Sequence, residues 1–447
     1  MDKQNAKSKV ISGLFWRYSE RCGAQFVSFI VSIILARLLS PSDYGIIGLI
    51  SVFITIASVF AQSGLGQALV QRKEIDNEEF STVFYFSMVF SVVLYGILFL
   101  CAPLISDFYN ESALTSIVRV LGITIIIGAI NSVQQSYVQK TMQFKRFFWS
   151  TLGGTLASAV VGISMAYKGF GVWALVWQSM ANSIFNTLIL WFTVKWRPKL
   201  LFSTSKVKSL FSYGWKLLCS SLIDTIYNNI YSLIIGKFYS SADLGYYNRG
   251  KQFPMLIIQN INTAIDSVLF PVMAEVQDEK ERLRGMVRRS IVTSTFLIFP
   301  AMAGLAAIAK PLTVILLTEK WLPAVPFIWF CCFTYAFWPV HTANLQAIKA
   351  LGRSDIFLKL EIVKKIVGVT ILIITIPFGL YTMMWGRCAS TLISSFVNAY
   401  PNKKLLWYSY WDQLKDMLPS FVLSITMLVI VLLVQIFDLN VWFTIIL

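Results

Sequence analysis

Residues 34–49 read ILARLLSPSDYGIIGL, and residues 234–249 read IIGKFYSSADLGYYNR. At this offset of 200 four positions are identical, Ile34/Ile234, Ser40/Ser240, Asp43/Asp243 and Gly45/Gly245, and Arg37 is answered by Lys237. The identities are turn residues rather than leucines, so shared apolar composition does not account for them. Further along, the register becomes 208. Pro103-Leu104 falls on Pro311-Leu312, Phe170-Gly171 on Phe378-Gly379, and Trp177 on Trp385. The change of register fits a longer connection around 277–287. Residues 1–200 and 201–400 are therefore read as two copies of one six-helix unit. An even number of spans gives both copies the same orientation, related by an axis along the membrane normal, an arrangement that supports alternating access.

Composition agrees with a membrane solvent. Of 447 residues 56% are hydrophobic and 13% charged, whereas soluble domains carry roughly 25% charged residues. Apolar runs of about 20 residues, each enough to cross a hydrocarbon core of roughly 30 Å, are expected near 12–39, 45–71, 80–106, 113–139, 147–167 and 171–195. The second copy repeats them near 207–236, 243–275, 287–309, 323–349, 356–376 and 380–400. A thirteenth run covers 413–437, and the remaining VWFTIIL (residues 441–447) would only begin a fourteenth. The basic start MDKQNAKSKV has no convincing cleavage site after it, so the first helix is expected to stay in the mature chain. No loop is long enough for a separate domain.

The formal net charge is +16, and its placement excludes a nucleic-acid footprint. With the N-terminus in the cytoplasm, 24 Lys and Arg residues fall on inside segments, against Lys168, Lys237, Lys310, Lys320 and the nearby Arg37 outside. That is the positive-inside pattern. Six cysteines scattered through apolar runs suit neither a disulfide framework nor a zinc site. A single histidine, His341, excludes a multi-histidine metal centre. No Walker sequence is present, and no catalytic constellation is visible, so the chain is expected to be a transporter rather than an enzyme. No cofactor is expected; membrane potential, a proton or sodium is left as the driving force.

Polar stripes mark which helices would line a cavity. In the first run Arg17, Arg21, Gln25, Ser28 and Ser32 follow helical steps, and Ser221, Thr225, Asn228 and Ser232 stand at the offset of 200 from the last four. The second run carries Ser51, Thr55, Ser58 and Gln62, and its counterpart Gln259, Asn262 and Asp266. Charge within a span costs about 2.5–3.5 kcal/mol even on the lenient insertion scale. Arg17, Arg21, Arg249 and Lys251, with Gln25, Gln62 and Asn228, are accordingly the expected substrate-binding residues of the cavity; Arg119 and Arg387 also fall within runs. Guanidinium forks pair bidentately with phosphate, which points to an anionic substrate. Glu20, Asp224 and Asp266 are the carboxylates expected to serve ion coupling.

Several stretches resemble the polysaccharide-transporter branch of the multidrug/oligosaccharidyl-lipid/polysaccharide flippase superfamily, the O-antigen and exopolysaccharide flippases. They are ILARLLSPSDYG (34–45), SGLGQALVQRK (63–73), YKGFGVWALV (167–176), KWRPKL (195–200), NNIYSLIIGKFYSSADLGYYNRG (228–250) and EKWLPAVPF (319–327). The resemblance implies an all-α polytopic membrane protein: an N-lobe (1–200) and a C-lobe (201–400) in a V, plus a terminal helix pair (401–447) whose last member is incomplete. It implies translocation of undecaprenyl-diphosphate-linked oligosaccharide across the bacterial cytoplasmic membrane for O-antigen, capsule or exopolysaccharide synthesis. The partners implied are that lipid-linked oligosaccharide, membrane lipids and polysaccharide polymerase or assembly proteins, with no nucleic acid, and the chain is expected to be a monomer. A drug/cation antiporter of the same superfamily, a membrane polysaccharide polymerase and a structural scaffold are the alternatives. The first predicts acidic residues in the cavity, and the second a sizeable outer loop that this chain lacks.

Overall fold

The computed structural model describes residue 16 and residues 23–62, 65–71 and 76–436; for a few residues within these helices, Gln62 among them, only the backbone is described. Every regular element among the described residues is helical. Packing divides the chain into two units, residues 1–245 and 246–447.

The first unit holds α1 (Gly23–Leu38), α2 (Pro41–Gln62), α3 (Leu65–Gln71), α4 (Asn77–Tyr109), α5 (Ala113–Lys140), α6 (Lys145–Tyr167), α7 (Val172–Thr193) and α8 (Thr204–Phe238). The first turn of α9 (Ser241–Glu275) also belongs to it. The repeat in the sequence divides at residue 200, but α8 packs against α2, α3 and α4, so the packing boundary falls after the opening turn of α9. Where α6 meets α7, a methyl on Gly162 would press on Gln178 and one on Gly154 on the Asn182 carbonyl. Small residues of this kind let helices approach closely in lipid, where van der Waals packing replaces the hydrophobic drive. Leu65, Leu69, Phe80, Phe84, Val133 and Trp196 form a core at the α3–α4–α5 end.

The second unit continues α9 and adds α10 (Lys280–Ala307), α11 (Ala309–Leu317), a 3-10 segment (Glu319–Ala324), α12 (Val325–Ala336), α13 (Trp338–Ala350), α14 (Ser354–Thr375), α15 (Leu380–Ala399), α16 (Asn402–Leu405) and α17 (Tyr410–Ile436). Its core gathers Met273, Val287, Ile291, Val340, Leu406 and Met417.

Of the run expected over 45–71 the structure describes α2 and α3, and one other expected single helix is broken. The run expected over 323–349 is divided at Phe337, because Pro339, second in α13, has no N–H to offer the carbonyl of Tyr335. Pro254 and Pro271 in α9 and Pro300 in α10 lie inside continuous helices instead. Eight stretches among the described residues are long and apolar enough to cross a membrane, and the protein is multi-pass. Lys359, Glu361, Lys364 and Lys365 keep α14 out of that group, and the Ser, Asn and Tyr residues of α8, with Asp224, keep α8 out.

The duplicated turn has the same local structure twice. Ser40 N–H and Oγ both donate to Asp43 Oδ2, at 2.9 and 2.6 Å, and Asp43 N–H donates back to Ser40 Oγ at 3.2 Å. Ser240 and Asp243 repeat all three bonds at 3.1, 2.7 and 3.1 Å. Each is a reciprocal cap that satisfies helix-start donors, with Pro41 preorganised at the first helical position of α2. The glycines are reciprocal too. A Cβ on Gly45 would run into the Ser241 carbonyl, and one on Gly245 into the Pro41 carbonyl. Residues 41 and 45 thus meet their own counterparts, 241 and 245.

Candidate functional site

Basic side chains stand inside the second unit in two places: Lys251 beside Arg387, and the buried Arg249 on another face of α9. Arg249 and Lys251 lie two turns into α9, on either side of Gly250, and Arg387 lies two turns into α15. Arg249 is only 5% exposed; its Nη1 donates to Gln252 Oε1 at 2.5 Å, and its guanidinium stands 5.5 Å from the ring centre of the buried Trp321. Arg387 donates from Nη1 to the Tyr247 hydroxyl and lies 5.8–5.9 Å from the Tyr247 and Tyr335 rings. Lys251 is close enough to Arg387 for their charges to interact. Gly250 makes the approach possible: a Cβ there would lie 2.5 Å from Phe327 Cβ, 2.9 Å from the Ala324 carbonyl and 3.0 Å from the Ile328 nitrogen. The backbone of α9 therefore seats directly on the start of α12.

Aromatic faces offset part of the cost of burying these cations, since cation–π contacts contribute about 0.5–2 kcal/mol each. Lys251 and Arg387 remain two like charges close together in a low-dielectric environment that favours an anion.

The first unit carries a recess of a different kind. Asn131, Ser132, Gln135, Ser136 and Gln139 form a stripe along α5, and with Ser221 of α8 they line a cavity of about 370 Å³ whose remaining walls are Gly66, Gly128, Val59, Leu217 and Leu218. The hydroxyl protons are directed to the backbone, Ser132 Oγ to the Ala129 carbonyl at 2.9 Å and Ser136 Oγ to the Ser132 carbonyl at 3.0 Å. Asn131 is braced by Asn186 through an amide–amide bond of 3.0 Å. A second recess of about 330 Å³, between α1, α6 and α7, is lined by Ser28, Thr155, Ser158, Gln178 and Asn182 among others.

The other expected site residues fall as follows. Arg17, Glu20 and Arg21 lie outside the described residues, as does the side chain of Gln62. Gln25 is half-buried on α1; Asp224 and Asn228 are exposed on α8. Asp266 accepts a hydrogen bond from Gln346 Nε2, one turn from the Thr342–Asn262 bond of 2.9 Å, so these polar residues of α9 join it to α13. Arg119 packs over the Phe99 ring at 4.3 Å and donates to the Phe99 carbonyl, a helix-to-helix contact. His341 is paired with Asn398 at 3.0 Å.

Two features escaped the sequence reading. The α5 stripe runs at 128, 131, 132, 135, 136 and 139, the helical period that revealed the other stripes. Midway along α14, Glu361 and Lys364 form an ion pair of 2.5 Å with both side chains mostly buried. The three charges of EIVKKIVG (361–368) inside an expected span were the available signal.

Multi-pass apolar helices, basic side chains inside the second unit and polar recesses suit a membrane transport protein. The chain belongs to the polysaccharide biosynthesis protein family, whose model matches residues 34–326. It is 23% identical over 436 residues to the lipopolysaccharide biosynthesis protein WzxC of Escherichia coli, covering 95% of this chain and 87% of that one. It is 24% identical to the succinoglycan biosynthesis transport protein ExoT of Rhizobium meliloti, over 72% of this chain and 65% of that protein. Among solved structures, the lipid II flippase MurJ in an inward closed conformation superposes with a TM-score of 0.77 at 13% identity, covering 98% of this chain and 95% of that one. That likeness establishes the all-α polytopic fold.

Proposed function

We propose that this protein is a flippase that moves undecaprenyl-diphosphate-linked oligosaccharide repeat units from the cytoplasmic to the outer leaflet of a bacterial cytoplasmic membrane, by alternating access, for surface polysaccharide synthesis. The observation that carries this reading is the half-buried pair Lys251 and Arg387, with the buried Arg249 on the same helix as Lys251. These cations suit a diphosphate, and an arginine can present forked donors to phosphate oxygens. The polyprenyl tail stays in lipid while the charged head passes through protein. Two negative charges moving outward across an inside-negative membrane gain about 4.6 kcal/mol per 100 mV, at roughly 2.3 kcal/mol per charge, so the membrane potential assists the movement, with a proton or sodium as the alternative drive. The lipid-linked oligosaccharide is the partner, and the chain acts as a transporter, not an enzyme.

Family membership and the succinoglycan transport relative favour this reading over a drug/cation antiporter, and a cationic pair is the wrong sign for a cationic drug. The test is reconstitution in proteoliposomes with a fluorescent polyprenyl-diphosphate oligosaccharide. Wild type should move it to the opposite leaflet, and Arg387→Ala with Lys251→Ala should slow movement at least about tenfold, the equivalent of one charge-assisted hydrogen bond. Equal rates in wild type, the double variant and protein-free vesicles would reject the proposal. So would normal polysaccharide export, without lipid-linked repeat units building up, in cells lacking the protein.

A further inference from the structure

We infer that the α5 recess of the first unit is a binding site for an uncharged sugar of the transported saccharide, and that it sets sugar preference; the inference rests on the flippase reading above. Its lining decides the chemistry. The amides of Gln135 and Gln139 each offer a donor and an acceptor, which match a sugar hydroxyl that both gives and takes a hydrogen bond. The hydroxyl protons of Ser132 and Ser136 are already committed to backbone carbonyls, so their oxygens present acceptors to the hydroxyl protons of a ligand. Val59, Leu217 and Leu218 supply apolar wall for the C–H face of a pyranose ring. Among the described residues, no charged side chain lines the recess. A uronate or phosphate would lose its hydration there without gaining a counter-charge, and a cationic drug would find no carboxylate. The volume of about 370 Å³ lies at the lower end of small-molecule sites, which run to about 1,000 Å³. It fits a sugar or two, not a whole repeat unit.

The second half of the sequence lacks this stripe. At the offset of 208, Gly128, Asn131, Ser132, Gln135 and Gln139 correspond to Ala336, Pro339, Val340, Ala343 and Ala347; Ser136 alone keeps a polar partner, Asn344, which is held by Gln413 and Asn402. If the stripe served only to pack a six-helix unit, its absence from the other copy would be unexplained. A ligand needs it once.

Gly128 provides the test, because it lines the recess and a Cβ there would meet nothing within 4 Å. Gly128→Leu fills the space without forcing the helices apart. The full chain in nanodiscs is titrated with three probes: polyprenyl diphosphate, the same lipid bearing a neutral hexose disaccharide, and the same lipid with glucuronate in the disaccharide. Wild type should bind the neutral glycolipid about tenfold more tightly than the bare diphosphate, the yield of a few net hydrogen bonds. It should bind the glucuronate form no better than the bare lipid. Gly128→Leu, and independently Gln135→Leu, should abolish the preference for the neutral sugar while leaving bare diphosphate binding unchanged. Wild type binding all three lipids equally, or both variants keeping the preference, overturns the sugar site and leaves the flippase reading standing. Failure of wild type to bind any of the diphosphate lipids overturns both.

Discussion

Lys206 shows how much a single side chain organises at the polar edge of the first unit. Its Nζ lies 2.5 Å from Asp76 and 2.6 Å from Glu78, so the first turn of α8 is held to the N-terminus of α4. Asp76 also caps α4, accepting the Glu79 N–H at 2.7 Å. The hydrogen bond from Lys206, then that from Glu79, holds the Asp76 carboxyl below its ordinary value. A depressed folded value means that stability is fully present above the unfolded value of about 3.9 and is lost as pH falls through the folded one. Thermal unfolding in detergent should therefore drop more steeply below about pH 4 in wild type than in Asp76→Asn, and 1 M salt should reduce the difference, since exposed pairs are screened. Identical acid limbs would mean that the clamp contributes nothing. The basic residues of the candidate site were legible at this same scale, because an arginine inside an apolar run is costly wherever it stands. Which of them come together was not legible: Lys251 and Arg387, whose charges interact, are 136 positions apart in the sequence, and Arg119, equally conspicuous, packs on Phe99 instead.

Glycines decide the fit between elements, and they do so at particular crossings. Gly250 admits the start of α12 against α9, with the Ala324 carbonyl 2.9 Å from where a Cβ would stand. Gly250→Ala should cost about 1–3 kcal/mol, the usual penalty of overpacking, and should weaken diphosphate binding through displacement of Arg249 and Lys251. Gly45→Ala should destabilise similarly through the Ser241 carbonyl. Gly96, with nothing within 4 Å, is the matched comparison: Gly96→Ala should raise the unfolding midpoint, because alanine is favoured over glycine in a helix by up to about 1 kcal/mol. Loss of stability at Gly96 equal to that at Gly250 would show that the effect is general to glycine replacement. Most described helices lie within a few residues of the expected apolar runs, although α10 starts at Lys280 rather than near 287. The break at Phe337 depends on a missing N–H at Pro339, yet Pro254, Pro271 and Pro300 interrupt no helix, so proline by itself did not reveal which helix would divide. The α5 stripe had the right period to be found, but its serines and amides carry no charge to draw attention to them.

At the scale of the whole chain, charge and hydropathy act together. Large apolar side chains face outward on many helices, Leu100 at 75% and Phe192 at 78% exposure among them, a surface that only lipid can cover. Basic residues gather at alternate helix ends, and translocating them across the bilayer is what the positive-inside bias resists. The connection after α5, flanked by Lys140, Lys145 and Arg146, should therefore lie in the cytoplasm, and the connection after α6, with Lys168 alone, outside. Single cysteines placed at Thr141 and Lys168, both exposed, in a chain whose native cysteines are replaced, separate the two cases. An impermeant maleimide should modify Lys168→Cys in intact spheroplasts and Thr141→Cys only in inside-out vesicles. The opposite pattern would invert the chain in the membrane. A diphosphate-linked saccharide made in the cytoplasm would then meet the protein from its other end, and the gain of about 4.6 kcal/mol per 100 mV assigned to outward movement would need a different path through the bundle. Orientation is thus the property of the whole molecule on which the direction of transport depends, and it is set by a few lysines and arginines that touch no substrate.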